Sequence, residues 1–567
     1  MEKNPKKKLI AIAVILAIII YLLIQSLIYG ILLQLFTKTN DGILTAGFKL
    51  IFRFIGTITG VGKLQNGDGI ILGVGVIILL LIAIGVRNVI KHFYPTYKRW
   101  RRDLWIKNRT ASSAGTSEWG SLDEAKTLLG NDGVIIGGKK KMRGLEPVRL
   151  SARYSFEHIA IIGPTGSGKS STFFIPNLLS LPKNTSVIVT DPKGELESLT
   201  AEKLRKEGWE TYTFSPFQPE ISSGYDPLRL IESEAEIADI ADIVLKNGYD
   251  PEGRGGDTQW INFAKPLWEA SLYATKALSR FSNDEMVKMI RHITNGLKEK
   301  GGGKETARYL RRFLSEGGLG TIDEAANFVT YLPEEAKKEI IEYIGGTALD
   351  RYLTYTQSLE SPETAGSIRT VLTSSVQIFA RPDVSEIAKK ENTISFKSIR
   401  TKSTVIFVRI PERKAHILKP LMATFFWQSI EHIADIDGNP IFFLLDEFPN
   451  IGKIPGFAQM AATLRSRKIS LCVALQGIEQ LSREYSEHEQ KDIINNLKTK
   501  IYYPGSSGET AEYASRISGY STTRKDTRVE LLTAAEARMI PEGKIMVMAR
   551  NLPPFFLEAY HYKNIYG

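Results

Sequence analysis

A glycine-rich turn between an apolar run and a helix-like segment is the first stretch whose residue types could do chemistry. Residues 160–171 read AIIGPTGSGKSS and satisfy the pattern G-x-x-x-x-G-K-[ST], with KSSTFFIPNLLSL following the turn. Glycines let consecutive backbone N–H groups point at phosphates, and the following helix adds its positive N-terminal end. The pattern predicts a nucleoside triphosphate site. The predicted phosphate loop consists of Gly163, Pro164, Thr165, Gly166, Ser167, Gly168, Lys169, Ser170 and Ser171.

A triphosphate-splitting site also needs carboxylates near the metal ion and the attacking water. In PIFFLLDEFPNIGKIP a fully apolar run ends in Asp446 and Glu447, and residues just past a buried strand emerge where α/β sheets bind ligands. We expect Lys169 to neutralise the β- and γ-phosphates, Ser170 and Asp446 to hold Mg²⁺, and Glu447 to act as general base. An acidic pair directly after the strand favours a motor ATPase over a kinase or a small GTPase.

Two further candidates flank the next strand-like run, KISLCVALQGIEQL. Gln476 ends that run and could bind the γ-phosphate or its water, so we predict that it reports hydrolysis to the rest of the molecule. Arg465 and Arg467 precede the run on a predicted subunit surface. Arg467 is the preferred arginine finger, acting on the site of a neighbouring subunit. The alternative interpretation of each is ordinary: a helix cap for Gln476 and a solvated basic turn for Arg467.

Charge and apolar content divide the chain near residue 110. Residues 1–110 hold 16 of the 73 Lys/Arg but only 4 of the 62 Asp/Glu, so the remainder is close to neutral. Two uncharged runs, at about 9–36 and 69–86, are each long enough to cross a bilayer as a helix. Basic residues flank the outer ends of both runs, which places both termini in the cytoplasm. We therefore predict a membrane anchor with two transmembrane helices and a short external loop.

The remaining 457 residues alternate strand-like and helix-like text around one helical stretch. Strand-like runs at the phosphate loop and at TSVIVTDPKGELESL give way near residue 253 to helical periodicity, and strand-like text returns at STVIFVRIP. We predict an α/β fold: a P-loop ATPase core whose first part is 111–252 and second part 362–567, interrupted by an all-α insertion domain at 253–361. The insertion carries 15 basic and 15 acidic residues, so it is no obvious electrostatic DNA clamp.

Several motifs in this order resemble the TraG/TraD family of type IV secretion coupling proteins, over roughly residues 113–560. The shared segments are GTSEWGS, GPTGSGKSS, VTDPKGEL, TAGSIRTVLTSSVQIFARPDV, LLDEFPNIGKIP, CVALQGIEQL, ETAEYASRISGY and LLTAAEARMIPEGKIMVMARNLPP. A phosphate loop alone is generic, but DPKGEL followed by DEFPNIGKIP is specific. The resemblance carries the same roles over to Lys169, Ser170, Asp446, Glu447, Gln476 and Arg467.

What the resemblance implies is a membrane-anchored, RecA-like ATPase with an all-α domain, bound to ATP and Mg²⁺. Six copies would close into a ring in the bacterial inner membrane. That ring would receive a relaxase attached to single-stranded DNA and help to drive the DNA through the subunits of a type IV secretion channel during conjugation. A finger acting between subunits also fits a head-to-tail interface that closes on rotation.

Two other functions remain open from the sequence. One is a membrane receptor for secreted protein substrates that uses ATP only as a docking switch. The other is a DNA translocase that segregates chromosomes or packages plasmids, against which stands the lack of a small DNA-reading module after the core. A motor should show ATP turnover that DNA stimulates and salt suppresses, whereas a receptor switch should respond to substrate protein and not to DNA.

Overall fold

The sheet that positions the predicted site residues is large and mixed. The computed structural model describes residues 117–142, 144–249, 258–297, 303–315, 319–359, 362–391, 394–522 and 528–565. Within them the strands are β1 (Ile135–Lys141), β2 (Gly144–Arg149), β3 (Ile159–Ile162), β4 (Ser186–Thr190), β5 (Glu210–Phe214), β6 (Thr404–Val408), β7 (Ile441–Leu445), β8 (Ile469–Leu475), β9 (Thr499–Tyr502), β10 (Tyr520–Thr522), β11 (Arg528–Glu530), β12 (Lys544–Ala549) and β13 (Phe555–Glu558).

Eleven of these strands form one sheet in the order β2-β1-β13-β12-β9-β3-β8-β7-β4-β6-β5, and β10 pairs with β11 separately. The run from β9 to β5 is parallel, and the strands from β12 to β2 extend it with antiparallel pairs. The central parallel strands are buried along their whole length. Strands that are covered on both faces have continuous apolar sequences, which is why these strands could be predicted from the sequence.

Helices cover both faces of the sheet and also form the helical stretch. They are α1 (Ala152–Ser155), α2 (Ile175–Leu178), α3 (Glu195–Lys206), α4 (Pro227–Leu230), α5 (Glu234–Tyr249), α6 (Thr258–Leu278), α7 (Asn283–Gly296), α8 (Gly303–Ser315), α9 (Ile322–Tyr331), α10 (Glu334–Ile344), α11 (Gly346–Gln357), α12 (Pro362–Val376), α13 (Pro382–Lys389), α14 (Ala415–Ala434), α15 (Phe457–Leu464), α16 (Glu487–Asn496), α17 (Gly508–Ser518) and α18 (Ala534–Arg538).

Alternate residues of each central strand feed two different cores. Ile188 of β4 and Phe443 of β7 pack into the core shared with the helical stretch, whereas Val189 and Phe442 pack into the core on the opposite face. This alternation follows from the two-residue repeat of a strand. Helix α14 is buried along most of its length and apolar on nearly all sides, as expected of a helix enclosed by other elements.

The helical stretch is organised around α6. Helix α6 packs against α9, α10, α11 and α12, and α5 packs against α6, α12 and the central helix α14. Ser282 caps α7 in a reciprocal capping box with Glu285, a start that the sequence signature S-x-x-E predicts. Between 258 and 359 the described residues form helices and connecting turns, as the sequence predicted. The bounds of a separate domain at 253–361 stay a prediction.

These findings confirm an α/β fold with a large parallel sheet. No helix in the described part of the chain is long and apolar enough to span a bilayer. The two predicted transmembrane helices, at 9–36 and 69–86, lie outside the described residues.

Candidate active site

The candidate site is built where several parallel strands end side by side. The phosphate loop follows β3, the acidic pair follows β7, and Gln476 follows β8. In the sheet β8 lies between β3 and β7, so Gln476 emerges between the loop and the acidic pair. The carboxyl ends of parallel strands form the edge at which α/β proteins bind ligands. The structure therefore brings together three of the predicted groups from distant parts of the sequence.

The phosphate loop surrounds the ammonium group of Lys169. Gly166 and Gly168 adopt φ angles of 82° and 91°, a left-handed backbone that glycine adopts without strain. Lys169 Nζ donates to the carbonyl oxygens of Gly163 at 2.6 Å and Pro164 at 3.1 Å. Burial lowers the pKa of Lys169, while the nearby carboxylates of Glu447 and Asp446 oppose that shift. A buried cation held mainly by neutral carbonyl oxygens favours an anionic ligand.

Ser170 and Asp446 form a direct pair. Ser170 Oγ donates to Asp446 Oδ2 at 3.1 Å, and Thr190 Oγ1, at the end of β4, donates to the Asp446 backbone oxygen at 2.7 Å. Burial raises the pKa of Asp446 to about 6; the negative charge of Glu447 adds to that shift and the ammonium of Lys169 opposes it. A hydroxyl and a buried carboxylate beside a phosphate loop are oxygen ligands of the kind Mg²⁺ takes.

Glu447 and Gln476 form the second pair. Gln476 Nε2 lies 3.2 Å from Oε1 and 3.1 Å from Oε2 of Glu447, and the Gln476 backbone N–H donates to Gln480 Oε1 at 2.8 Å. The backbone of Glu447 is left-handed, with φ of 56°. Such a conformation costs free energy in a residue with a Cβ and is often kept where a side chain must be aimed. The pair places a carboxylate beside an amide that can orient a water molecule.

Three residues at this site were not predicted as site residues. Thr190 holds the backbone of Asp446, as described above. Thr172 Oγ1 donates to the Gly168 carbonyl oxygen at 2.8 Å and lies 2.8 Å from Tyr503 Oη, and Tyr503 directly follows β9. Burial raises the pKa of Tyr503, so its hydroxyl stays neutral. Thr190 and Tyr503 have one signal in the sequence, which is their position at the ends of strand-like runs.

The strand end at Asp191, which the sequence also marked, serves mainly to begin α3. Asp191 Oδ2 accepts from the Glu197 backbone N–H at 2.8 Å, and Glu197 is paired with Arg409 at 2.9 Å. Burial raises the pKa of Asp191, whose charge also contributes to the raised pKa of Asp446. Its contacts are those of a residue that fixes the shape of the sheet edge.

Arg467 lies at the other end of the sheet. It lies two residues before β8, and the seven residues of that strand alone separate it from Gln476 by roughly 20 Å. Its guanidinium binds the Ala434 carbonyl oxygen at 2.9 Å and contacts the carboxylate of Asp435. Arg465 pairs with the buried Glu157 at 2.9 Å. Neither arginine is brought to the phosphate loop of its own chain.

Comparisons with known proteins identify a family and several relatives. The model of the family described as type IV secretory system conjugative DNA transfer matches residues 112–542. The conjugal transfer protein TraG of Escherichia coli is 27% identical over 391 residues, covering 65% of this chain and 56% of that protein. VirD4 of Agrobacterium fabrum is 21% identical over 440 residues, covering 71% of this chain and 58% of that protein. The matches thus span less than two thirds of the length of these relatives.

Solved structures show the same fold. The plasmid coupling protein TrwB in complex with the ATP analogue ADPNP matches with a TM-score of 0.56 and 15% identity, over 79% of this chain and 94% of TrwB. TrwB in complex with ADP and Mg²⁺ matches with a TM-score of 0.56 and 16% identity. Because the family model covers more than half of its residues, the chain belongs to the type IV secretory system conjugative DNA transfer family.

Proposed function

We propose that this protein is an ATP-driven coupling protein that links a relaxase-DNA complex to a type IV secretion channel and helps to translocate single-stranded DNA. The observation that carries the proposal is the pair of contacts, Ser170 with Asp446 and Gln476 with Glu447, beside the Lys169 loop. Family membership gives these contacts their biological setting.

The residues present fit a nucleotide with Mg²⁺. Ser167 Oγ is buried in the loop without a hydrogen-bond partner, and the buried Lys169 ammonium needs an anion. Ser170 and Asp446 would hold the metal, because a hydroxyl and a buried carboxylate, two oxygen ligands of the kind Mg²⁺ takes, meet at 3.1 Å beside the loop. Mg²⁺ would neutralise charge on the β- and γ-phosphates. The lysine would bind the same phosphates from inside the loop.

Glu447 would accept a proton from the attacking water. Its carboxylate is held by Gln476 Nε2, which leaves carboxylate lone pairs available for a water molecule. Gln476 would fix the direction of that carboxylate and contact the γ-phosphate or its water. General-base catalysis of this kind contributes about 10²–10⁴ in rate.

Arg467 would complete the site of a neighbouring subunit as an arginine finger. Its exposed guanidinium and its distance from its own phosphate loop fit action between subunits better than action within one. Its present partner, Asp435, is 82% exposed, so exchanging that carboxylate for a phosphate would cost little. A head-to-tail interface of this kind closes into a ring, and we propose a homohexamer.

The setting is the bacterial inner membrane. We propose that residues 1–110 anchor the chain with two transmembrane helices, and that both termini and the ATPase face the cytoplasm. The ATPase parts would be 111–252 and 362–567, with 253–361 as the all-α insertion. Its partners would be the relaxase or other secretion substrates, single-stranded DNA and channel subunits.

The full-length chain in lipid nanodiscs tests this proposal through its ATPase rate, measured with and without single-stranded DNA over a range of salt. A rate that DNA raises and salt lowers supports a DNA motor, since phosphate contacts are salt-dependent. A rate indifferent to DNA but raised by a secretion substrate protein would instead support the receptor function. Absence of hydrolysis under all conditions would contradict both.

A further inference from the structure

The segment that follows the acidic pair leads from Glu447 to helix α5. A short 3-10 helix, Phe448–Ile451, begins directly after Glu447, and the Asn450 backbone N–H donates to the Glu447 carbonyl oxygen at 2.9 Å. This turn packs against α14 and β8, and Phe448 and Ile451 are fully buried. A turn this short and closely packed moves as a unit, so a shift of Glu447 displaces the residues that follow it.

Asn247, in the last turn of α5, binds the backbone of Lys453, two residues after the short 3-10 helix. Asn247 Oδ1 accepts from the Lys453 backbone N–H at 2.7 Å, and Nδ2 donates to the Lys453 carbonyl oxygen at 2.9 Å. Nδ2 also donates to the Ile243 carbonyl oxygen at 2.8 Å, one turn earlier in α5. The side chain is 2% exposed. A side-chain amide that hydrogen-bonds both the N–H and the carbonyl oxygen of one residue fixes both the position and the orientation of that residue.

Gly452 allows this close approach. Its φ is 95°, and a Cβ atom at this position would stand 2.4 Å from Asn247 Oδ1. On its other side the segment is held by Lys453 Nζ, which donates to Glu489 Oε2 at 3.1 Å, and by the Ile454 N–H, which donates to Tyr485 Oη at 3.1 Å. The segment is thus held between α5 on one side and Tyr485 and α16 on the other, with Asn247 as its contact on the α5 side.

Helix α5 in turn contacts the helical stretch. It packs against α6 and α12, and α6 is the helix around which α9, α10 and α11 assemble. Buried residues of α5, including Ile243 and Val244, belong to the core that the sheet and the helical stretch share. Displacement of the last turn of α5 would therefore be passed to α6 through packed side chains.

We propose that Asn247 is a positioning residue that couples the state of Glu447 to the helices α6 to α11. The inference rests on the proposed function, because it takes Glu447 as the group that responds to nucleotide. It gives the helical stretch a role as the element that ATP binding and hydrolysis move. Asn247 itself touches no nucleotide and acts through Gly452 and Lys453.

The test uses the full-length chain in nanodiscs, with Asn247→Ala against Asn496→Ala as the matched control. Asn496 Nδ2 donates to the Ala458 carbonyl oxygen at 2.9 Å, so the control also removes an amide bound to backbone, but away from α5. Hydrogen–deuterium exchange of α6 and α11 is measured with and without AMPPNP, whose binding is followed separately. Stimulation of the ATPase by single-stranded DNA is the second readout.

We expect the unaltered chain and Asn496→Ala to show an AMPPNP-dependent change of exchange in α6 and α11. Asn247→Ala should bind AMPPNP with unchanged affinity, lose that change, and lose about ten-fold in DNA stimulation, in the range of ordinary coupling between sites. A purely structural role would lower thermal stability but leave the AMPPNP response in place. If Asn247→Ala does not fold, Asn247→Asp keeps the acceptor for the Lys453 N–H and removes both donors.

Two results would overturn the inference: an AMPPNP response that survives in the folded Asn247 variant, or no response of α6 and α11 in the unaltered chain. Failure of the unaltered chain to bind AMPPNP is a different result. It would remove the proposed function and this inference with it, and the binding measurement distinguishes the two cases.

Discussion

The two ends of the parallel sheet are both rich in buried polar groups, but they use them differently. At the carboxyl end, Lys169, Asp446 and Glu447 face one another across the phosphate loop. At the amino end the guanidinium of Arg400 is 1% exposed and donates to the carbonyl oxygens of Ile433 at 2.9 and 3.1 Å, Asn439 at 2.9 Å and Arg467 at 2.9 Å. The carboxyl end brings several charged groups together beside the phosphate loop, whereas at the amino end Arg400 shares its charge among backbone oxygens.

His158 and Asp446 show what the difference means. His158, just before β3, lies with Nε2 2.6 Å from the Ala461 carbonyl oxygen, and its Nδ1 accepts from the Leu471 N–H at 3.1 Å. Burial lowers its pKa to about 4, so it is neutral and fully bonded at neutral pH. Asp446 has a pKa raised to about 6 and borders a cation and a carboxylate. A buried polar group whose hydrogen bonds are all made stabilises the sheet. Charged groups that lie close together have shifted pKa values, which is typical of catalytic sites.

Substitution of Arg467 should have the largest effect on ATP hydrolysis, because it is the one residue of the amino end to which we assign a catalytic role. Arg467→Ala should keep ATP binding and lower turnover by about 10³, the scale of an arginine finger. Steady-state hydrolysis and fluorescent-nucleotide binding measure the two quantities. Mixing this variant with Lys169→Ala subunits should recover part of the activity, since each supplies what the other lacks. If the mixed rings assemble but recover no ATPase activity, Arg467 has a structural role and is not an arginine finger.

Lys169→Ala tests the carboxyl end alone. Without the ammonium group the phosphates lose their buried counter-charge, and we expect kcat/KM to fall by several hundred-fold, similar to loss of one preorganised charge donor. Lys206→Ala, which removes an exposed lysine paired with Glu202, is the control and should leave kcat/KM unchanged. Comparable activity in both variants would show that the loop does not bind the reacting phosphates.

Arg400→Met tests the amino end. The substitution removes four hydrogen bonds to the carbonyl oxygens of Ile433, Asn439 and Arg467, and we expect the free energy of unfolding to fall by about 3 kcal/mol. Nucleotide affinity of the folded protein should be unchanged, because the guanidinium contacts no residue of the phosphate loop. Chemical denaturation and nucleotide titration measure the two quantities. Unchanged stability would contradict the role that its four hydrogen bonds indicate.

The smallest expected effect is on the pH dependence of Mg²⁺ binding. Because the pKa of Asp446 is raised to about 6, a proton competes with the metal below that pH, and affinity is fully present only above it. Between pH 7.5 and 5.5 we expect apparent Mg²⁺ affinity for the nucleotide complex to fall about four-fold through this group. The same measurement on Asp446→Asn, which lacks the titrating carboxyl group, gives the pH dependence that protonation of the nucleotide itself contributes. Equal pH dependence in both proteins would remove Asp446 from the metal site.

The sequence marks the candidate residues of the carboxyl end clearly, since each is attached to a continuous apolar run. GPTGSGKSS and LLDEFPNIGKIP mark two strand ends directly, and the periodicity change near residue 253 marks the helical stretch. The order of the strands in the sheet could not be predicted from these local patterns. That β8 lies between β3 and β7, and so places Gln476 beside Glu447, depends on long-range pairing that no local pattern encodes.

The amino end was the least predictable part. Arg400 reads as an ordinary basic residue in FKSIRTKS, and only the packed structure shows it buried among carbonyl oxygens. Asn247 is equally plain in VLKNGY, because its partners lie about 200 residues away in the segment after the acidic pair. Thr190 and Tyr503 were missed for a related reason: their hydroxyls act on neighbouring backbone and side chains, and such contacts leave no spacing pattern.

The most direct test of the account is the hydrolysis rate of Glu447→Gln compared with the unaltered chain, both saturated with ATP and Mg²⁺. If the carboxyl end of the sheet is the catalytic end and Glu447 its base, the variant should bind ATP as well as the unaltered chain. Its hydrolysis should be at least about a hundred-fold slower. Equal rates in the two proteins would contradict the account.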